Sequence, residues 1–203
     1  MQSAELTVAL VPTTEPQDRD AHELPPRVPL LDDRATWSEV HQLYRSSRET
    51  TVHATMLLSS DQGDGEERHE VEFWYSPLEG TRQADGEGLL SVRNSDGDHW
   101  HRGPYDPSTW PDNLIAIHRR WDQQKPFRLM IDPNSAATAT DVNGRRAWEF
   151  VFPPVFYGDS PVAVAFDAYS GIPLRAETRD RTEELSNVTL DEEFSEELFE
   201  IPV

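Results

Sequence analysis

The sequence predicts an α+β protein: an open, curved antiparallel sheet of about nine or ten strands with helices covering its concave face. Three observations lead to this class. Long segments alternate apolar and polar residues with the period of two that strands require, and Gly, Asn and Asp turns separate them. Two other segments repeat their apolar residues at helical spacing. The segment 144–175 shows the strand pattern most clearly, because two alternating strands and the Ser170-Gly171 turn form a meander there.

Residues 1–30 are predicted to form a Pro-rich extended N-terminal arm, followed by a single domain over 31–203. The spacing of the prolines in the arm excludes a helix, since proline lacks an N–H donor and restricts the residue before it. These prolines are Pro12, Pro16, Pro25, Pro26 and Pro29. The alternative is that the apolar segment 6–10 adds a strand to an edge of the sheet.

Two helices are predicted from apolar stripes. The first spans 34–47, with Asp32 and Asp33 placing negative charge at its N-terminus. Its stripe consists of Trp37, Val40, Leu43 and Tyr44. The second begins at Pro111 and ends before Pro126, with a stripe of Trp110, Leu114, Ile117 and Trp121.

The strands are predicted from alternation and from the turns between them. Before the second helix they cover 51–59, 70–75, 81–84 and 88–94, and an Asp96-Gly97 two-residue turn leads to a fifth strand that contains Trp100. Residues 132–139 are predicted to be loop. After the Asn143-Gly144 turn the strands cover 145–152, 161–168, 172–180 and 183–190. Phe194, Leu198 and Phe199 are available to attach the acidic C-terminus to the fold.

Composition excludes several classes of function. The chain has 38 acidic and 18 basic residues and a formal net charge of −20, which repels phosphate backbones and anionic membrane surfaces, so no nucleic-acid partner is expected. It has no cysteine, and therefore no disulfide, thiolate nucleophile or cysteine zinc site. The N-terminus has no basic region and only a short apolar run, which indicates neither a signal peptide nor a membrane-inserted segment. We expect a cytoplasmic protein as the sequence is written, or an exported one if a leader is missing.

The order of the predicted elements, together with particular residues, resembles the LolA superfamily of bacterial lipoprotein and lipid carriers, and most of all its divergent actinobacterial members. The similarity covers about residues 34–200. It rests on a D-G-x-x-W turn, a G-R-x-A-W strand and a D-x-x-T-G-x-x-L-R hairpin. The matching residues here are Asp96, Gly97 and Trp100; Gly144, Arg145, Ala147 and Trp148; and Asp167, Gly171, Leu174 and Arg175, with Ser170 in place of the threonine.

This resemblance implies an incomplete, strongly curved antiparallel barrel that helices close as a lid. Members of the family use the apolar hollow for acyl chains or as a sensor surface. Family carriers are exported, whereas this sequence shows no leader.

The candidate site is the hydrophobic hollow between the sheet and its helices. About ten methylenes buried there would contribute on the order of 8 kcal/mol, which is enough for micromolar binding. The alternative is that the helix stripes fill the hollow and leave a dry core. The residues predicted to line the hollow are Met56, Leu58, Phe73, Tyr75, Leu90, Val92, Trp100, Trp148, Phe150, Phe152 and Phe166, with Val164 beside them.

Metal sites are considered and not predicted. His99 and His101 lie two apart on a strand and face the same way, as zinc ligands can. Because Trp100 between them is expected to point inward, we place both histidines on a solvated outer face. The acidic residues of the first hairpin lack the ligand order of an EF-hand calcium loop. They are Asp61, Asp64, Glu66 and Glu67.

No hydrolase, zinc-protease, P-loop or dinucleotide motif is present, so neither an enzyme nor a cofactor is predicted. The predicted function is non-enzymatic binding of a hydrophobic ligand, such as an acyl chain, lipid or lipoprotein, in the hollow. The alternative is a regulatory or structural protein-interaction module with a self-filled core and no ligand. A metal-dependent enzyme using His99 and His101 is a third hypothesis. Expected partners are a hydrophobic small molecule or lipid, or a protein.

Overall fold

The computed structural model describes residues 28–61, 66–96, 98–102, 131–153 and 160–202. In these residues, helix α1 (Trp37–Ser46) precedes ten strands that belong to one sheet. The strands are β1 (Val52–Asp61), β2 (Glu66–Ser76), β3 (Gly80–Asp85), β4 (Gly88–Asn94), β5 (His99–His101), β6 (Thr138–Val142), β7 (Arg145–Phe152), β8 (Val162–Asp167), β9 (Pro173–Glu177) and β10 (Arg181–Leu190). Short 3-10 helices lie at Ser47–Glu49 and Glu196–Phe199.

Neighbouring strands are antiparallel throughout, and their order across the sheet is β5-β4-β3-β2-β1-β10-β9-β8-β7-β6. The segments β1–β5 and β6–β10 are therefore two consecutive meanders, joined where Met56 of β1 pairs with Leu185 of β10. The predicted open, curved antiparallel sheet is confirmed. The second predicted helix, which begins at Pro111 and ends before Pro126, lies outside the described residues, so the cover of two helices stays a prediction.

Helix α1 starts later than predicted, at Trp37 rather than at 34, and the two aspartates before it do not cap it. Thr36 is extended at φ −104° and ψ 161° and is the N-cap. The Thr36 side chain accepts from the backbone N–H of Glu39, and the Glu39 carboxylate accepts from the N–H of Thr36 at 2.8 Å. The Thr36 hydroxyl also donates to this carboxylate at 2.7 Å, and this bond, followed by the one from the Thr36 N–H, lowers the pKa of Glu39. A capping box thus begins the helix.

The second meander differs from the prediction at its two ends. Residues 138–139, predicted to be loop, belong to the edge strand β6. The turn that follows is as predicted, since Asn143 has φ 52° and Gly144 has φ 79°. The last strand begins at Arg181 rather than at 183, because the N–H of Thr178 donates to the carbonyl of Arg181 at 2.8 Å and closes a short turn there.

One face of the sheet, here called the inner face, carries Phe73 and Phe150 and contacts α1. Its continuity follows from the register, because directly paired residues of neighbouring strands share a face. The row from β7 to β1 reads Phe150, Val164, Ala176, Glu183 and Leu58. The hydrophobic core therefore lies between the inner face and the elements that pack on it, including α1.

The β8–β9 turn packs directly against the C-terminal turn of α1. The Asp167 carboxylate organises this turn, accepting from the Ser170 hydroxyl at 2.5 Å and from Arg145 at 2.7 Å. Gly171 follows with φ 79°, and a Cβ placed on it would lie 2.6 Å from the backbone of Leu43. This position therefore requires glycine on two separate grounds.

The opposite, outer face is covered over β3 and β4 by the 3-10 helix Glu196–Phe199. Arg82 donates to the carbonyl of Leu198 at 2.8 Å, and Phe199 is buried against the fold with its ring 6.0 Å from that of Phe194. The predicted role of these residues in attaching the acidic C-terminus agrees with this arrangement.

Candidate hydrophobic binding site

Helix α1 fills the inner face over β7 and β8. The ring centroid of Trp37 lies 5.0 Å from that of Phe150, 5.4 Å from that of Phe152 and 5.8 Å from that of Phe166. Trp148 is 1% exposed, and its indole N–H donates to a backbone carbonyl of the segment before α1 at 2.9 Å. These aromatic side chains, all predicted to line the hollow, are packing contacts of the core. Over β7 and β8, the apolar stripe of α1 thus fills the predicted hollow, which is the alternative given in the sequence analysis.

The inner face over β1 and β2 is apolar as well. Met56 and Phe73 are each 1% exposed, Tyr75 is buried, and Leu58 is half-buried. Leu90 of β4 packs against the same core cluster. The fold thus brings these predicted residues together in a part of the inner face separate from the ring contacts of Trp37 described above.

The register of β3–β5 places two predicted residues on the outer face. Trp74, Arg82, Val92 and Trp100 are paired in successive strands. Since Trp74 is the neighbour of Phe73 along β2, the two side chains point to opposite faces. The prediction that Val92 and Trp100 face the hollow is therefore wrong.

Two physical causes explain this error. Alternation shows which residues of β4 and β5 share a face, but not which face it is, and here both faces have an apolar cover. Val92 is fully buried on the side that the 3-10 helix Glu196–Phe199 covers. The β4–β5 turn is also longer than two residues: Arg93 pairs with His99, and the Asn94 side chain accepts from the N–H of Asp98 at 2.9 Å.

The same register brings the two histidines of β5 to the inner face, so their predicted outer placement is wrong as well. His99 pairs with Arg93, and His101 pairs with Ser91, which in turn pairs with Gln83. The pKa of His99 lies below its usual value, because burial and then the charges of Arg93 and His101 disfavour the protonated form. The neutral imidazole of His99 is thus favoured at this edge of the sheet.

The inner face changes from apolar to cationic across the first meander. One row of paired residues from β1 to β5 reads Val52, Tyr75, Thr81, Arg93 and His99, and the next reads Ala54, Phe73, Gln83, Ser91 and His101. Adjacent strands lie about 4.8 Å apart, so β5 is about 14 Å from β2. Sequence reasoning missed Arg93 because it assigned the alternating polar residues of β4 and β5 to the outer face.

A cleft of about 570 Å³ lies at another place, beside the ends of β7, β8 and β10. Leu31 and Tyr169 line it and are 58% and 56% exposed. Its charged groups have partners in the fold: Arg145 pairs with Asp167 at 2.7 Å, and Arg146 donates to backbone carbonyls of the segment before α1. This cleft does not coincide with the predicted hollow.

Within the described residues, no group of three or more metal-ligating side chains could hold a metal ion. The rings of His99 and His101 lie 6.3 Å apart between centroids. Of the acidic residues of the first hairpin, Asp64 and the side chains of Asp61, Glu66 and Glu67 lie outside the described part of the structure. No helix within the described residues is long and apolar enough to cross a bilayer.

Comparison of the sequence with protein-family models and with curated proteins found no match. Among solved structures, the chain is similar to MucB with a TM-score of 0.54 and 15% identity, over 80% of this chain and 61% of that one. It thus spans less than two thirds of MucB. The MucA/MucB complex of Pseudomonas aeruginosa is similar with a TM-score of 0.47 and 12% identity, over 81% and 60% of the two chains.

A LolA superfamily protein from Nitrosomonas europaea is a structural neighbour with a TM-score of 0.35 and 9% identity, over 82% of this chain and 98% of that one. Identities this low speak for fold alone. The similarity of fold is supported by MucB, which superposes with the higher TM-score.

Proposed function

We propose that the chain binds a hydrophobic ligand non-covalently, without catalysing a reaction, on the inner face of the first meander. The proposed contact residues are Met56, Leu58, Phe73 and Tyr75 on β1 and β2, with Leu90 at the margin. The observation that supports this is the apolar inner face that continues over β1 and β2, beyond the Trp37 contacts on β7 and β8. Because Trp148, Phe150, Phe152 and Phe166 pack against α1 or the segment before it, we leave them out of the site.

The proposed site opens when the ligand binds. Met56 and Phe73 are almost inaccessible, so an acyl chain that reaches them must displace the side chains that cover them. Burying about ten methylenes contributes on the order of 8 kcal/mol, and the displacement reduces this gain. Leu58 and Leu90 are half-buried and are the first contacts available to an entering chain.

A pair of adjacent substitutions tests the site. Leu57 and Leu58 are both half-buried neighbours on β1, but Leu58 pairs with Glu183 on the inner face while Leu57 pairs with Glu184 on the outer face. We expect Leu58→Trp to fill the site and weaken binding of dansyl-labelled undecanoic acid about tenfold or more, and Leu57→Trp to leave it unchanged. Fluorescence titration measures both, and circular dichroism checks that each variant folds. Equal binding by the two variants and the unmodified chain would place the probe elsewhere.

A protein-interaction module with a self-filled core is the second candidate function. Its support is the near-complete burial of Met56 and Phe73, together with the exposed apolar side chains of Val28, Leu31 and Tyr169. Native mass spectrometry of the gently purified chain, followed by solvent extraction, separates the two. A stoichiometric adduct that extracts as an acyl lipid supports the binding function, whereas a bare mass together with no uptake of the dansyl probe supports the interaction module.

A further inference from the structure

Arg93 differs from the other half-buried arginines of the described residues because it has no hydrogen-bonding or ion-pair partner there. Each of the others binds a carboxylate or a backbone carbonyl: Arg82, Arg102, Arg145, Arg146, Arg175 and Arg181. A half-buried guanidinium without a counter-charge bears part of its desolvation cost uncompensated. The guanidinium nitrogens of Arg93 keep contact with solvent, so an external group can reach them.

The surroundings of Arg93 add two imidazoles and further hydrogen-bonding groups. His99 is directly opposite it on β5, His101 lies on the same face, and Ser91 and Gln83 complete the neighbouring row. Burial, and after it the charges of Arg93 and His101, lower the pKa of His99.

We propose that Arg93, with His99 opposite it, binds the anionic headgroup of an amphiphile whose apolar chain occupies the inner face over β1 and β2. This inference rests on the proposed function and specifies its substrate class: a carboxylate or phosphate joined to a hydrocarbon chain. A guanidinium suits either anion, since its planar donors match two oxygens at once.

The distances across the sheet favour one ligand that spans both regions. The apolar residues of β2 and the basic residues of β5 lie on the same face, about 14 Å apart, with Thr81 and Gln83 between them. An amphiphile laid across the strands meets apolar, then polar, then cationic side chains in that order. The ligand's charge also restores the counter-charge that Arg93 lacks.

The test compares dansyl-labelled undecanoic acid with its uncharged methyl ester on the full chain. We expect the unmodified protein to bind the acid about tenfold more tightly than the ester, as one charge-assisted hydrogen bond allows. Arg93→Gln should remove this preference by weakening the acid alone. The control is Arg179→Gln, which removes the same charge from a side chain that is 84% exposed, and which should change neither affinity.

Three other outcomes would each overturn the headgroup assignment, and one of them would also overturn the proposed function. Equal binding of acid and ester, unaffected by Arg93→Gln, overturns the headgroup assignment and leaves the proposed function standing. Binding of neither probe overturns both. Inorganic phosphate that binds as tightly as the acid would identify a small-anion site and also overturn the headgroup assignment.

Discussion

Replacing Gly171 by alanine should lower the free energy of unfolding by more than the cost of a positive φ alone. Two costs act at this position. Its φ of 79° is a left-handed conformation that costs an L-residue about 1–2 kcal/mol. The added Cβ would also lie 2.6 Å from the carbonyl carbon of Leu43 and the nitrogen of Tyr44, which are backbone atoms that cannot rotate away. Overpacking of this kind costs about 1–3 kcal/mol, so the total is about 2–5 kcal/mol.

Gly144 provides the matched control, because it has the same φ of 79° and no atom within 4 Å of its added Cβ. Gly144→Ala should therefore lose only the conformational part, about 1–2 kcal/mol. Urea denaturation of both variants gives the two losses of unfolding free energy, and their difference isolates the contact with α1. Equal losses would refute the argument, since they would mean that the β8–β9 turn does not press against the helix.

Three further predictions concern single side chains. Trp148→Ala should lower the free energy of unfolding by about 3–5 kcal/mol in urea denaturation, because the side chain is 1% exposed, and a loss below about 1 kcal/mol would show that it is not core. Asp85→Asn should destabilise by about 1 kcal/mol at neutral pH. Pairing with Arg102 lowers the folded-state pKa of Asp85, so this stabilisation is present above the usual value of 3.8 and is lost as the pH falls through the folded-state pKa. The difference in melting temperature between the unmodified protein and Asp85→Asn should therefore shrink from pH 7 to pH 2. A difference that does not change with pH would contradict this prediction. Arg93→Gln should raise the pKa of His99 in an NMR titration, and an unchanged pKa would mean that burial and His101 lower it without a contribution from Arg93.

The strand arrangement could be read from the sequence wherever a tight turn fixes the register. Asn143-Gly144 adopts positive φ at both positions, and the meander that follows it forms as predicted. The start of α1 could not be read so well, because Asp33 and Thr36 are both acceptable N-caps by composition. Thr36 is the N-cap because Glu39 lies three residues after it and completes the capping box.

The candidate site on β1 and β2 stays a prediction, whereas the face assigned to Val92 of β4 and Trp100 of β5 is wrong. A period of two groups residues by face, but a one-residue change of register exchanges the two faces completely. Here the five-residue turn from Asn94 to Asp98 and the bulge beside Gln83 set that register. The available signal was Phe199 in the tail, which indicates a second apolar cover and thus a second place for Val92 to be buried.

The position of α1 makes the two meanders depend on each other. The helix precedes β1 in the chain, yet its Trp37 packs against Phe150, Phe152 and Phe166 of the second meander. A fragment that ends after β5 would retain α1 without the β7–β8 surface on which it packs. A fragment that begins at β6 would lose Trp37, whose ring covers its aromatic residues. Two fragments made by dividing the chain between β5 and β6 should therefore fold only when they are mixed. On this ground we propose that 31–203 is one indivisible domain, with 1–30 as its arm.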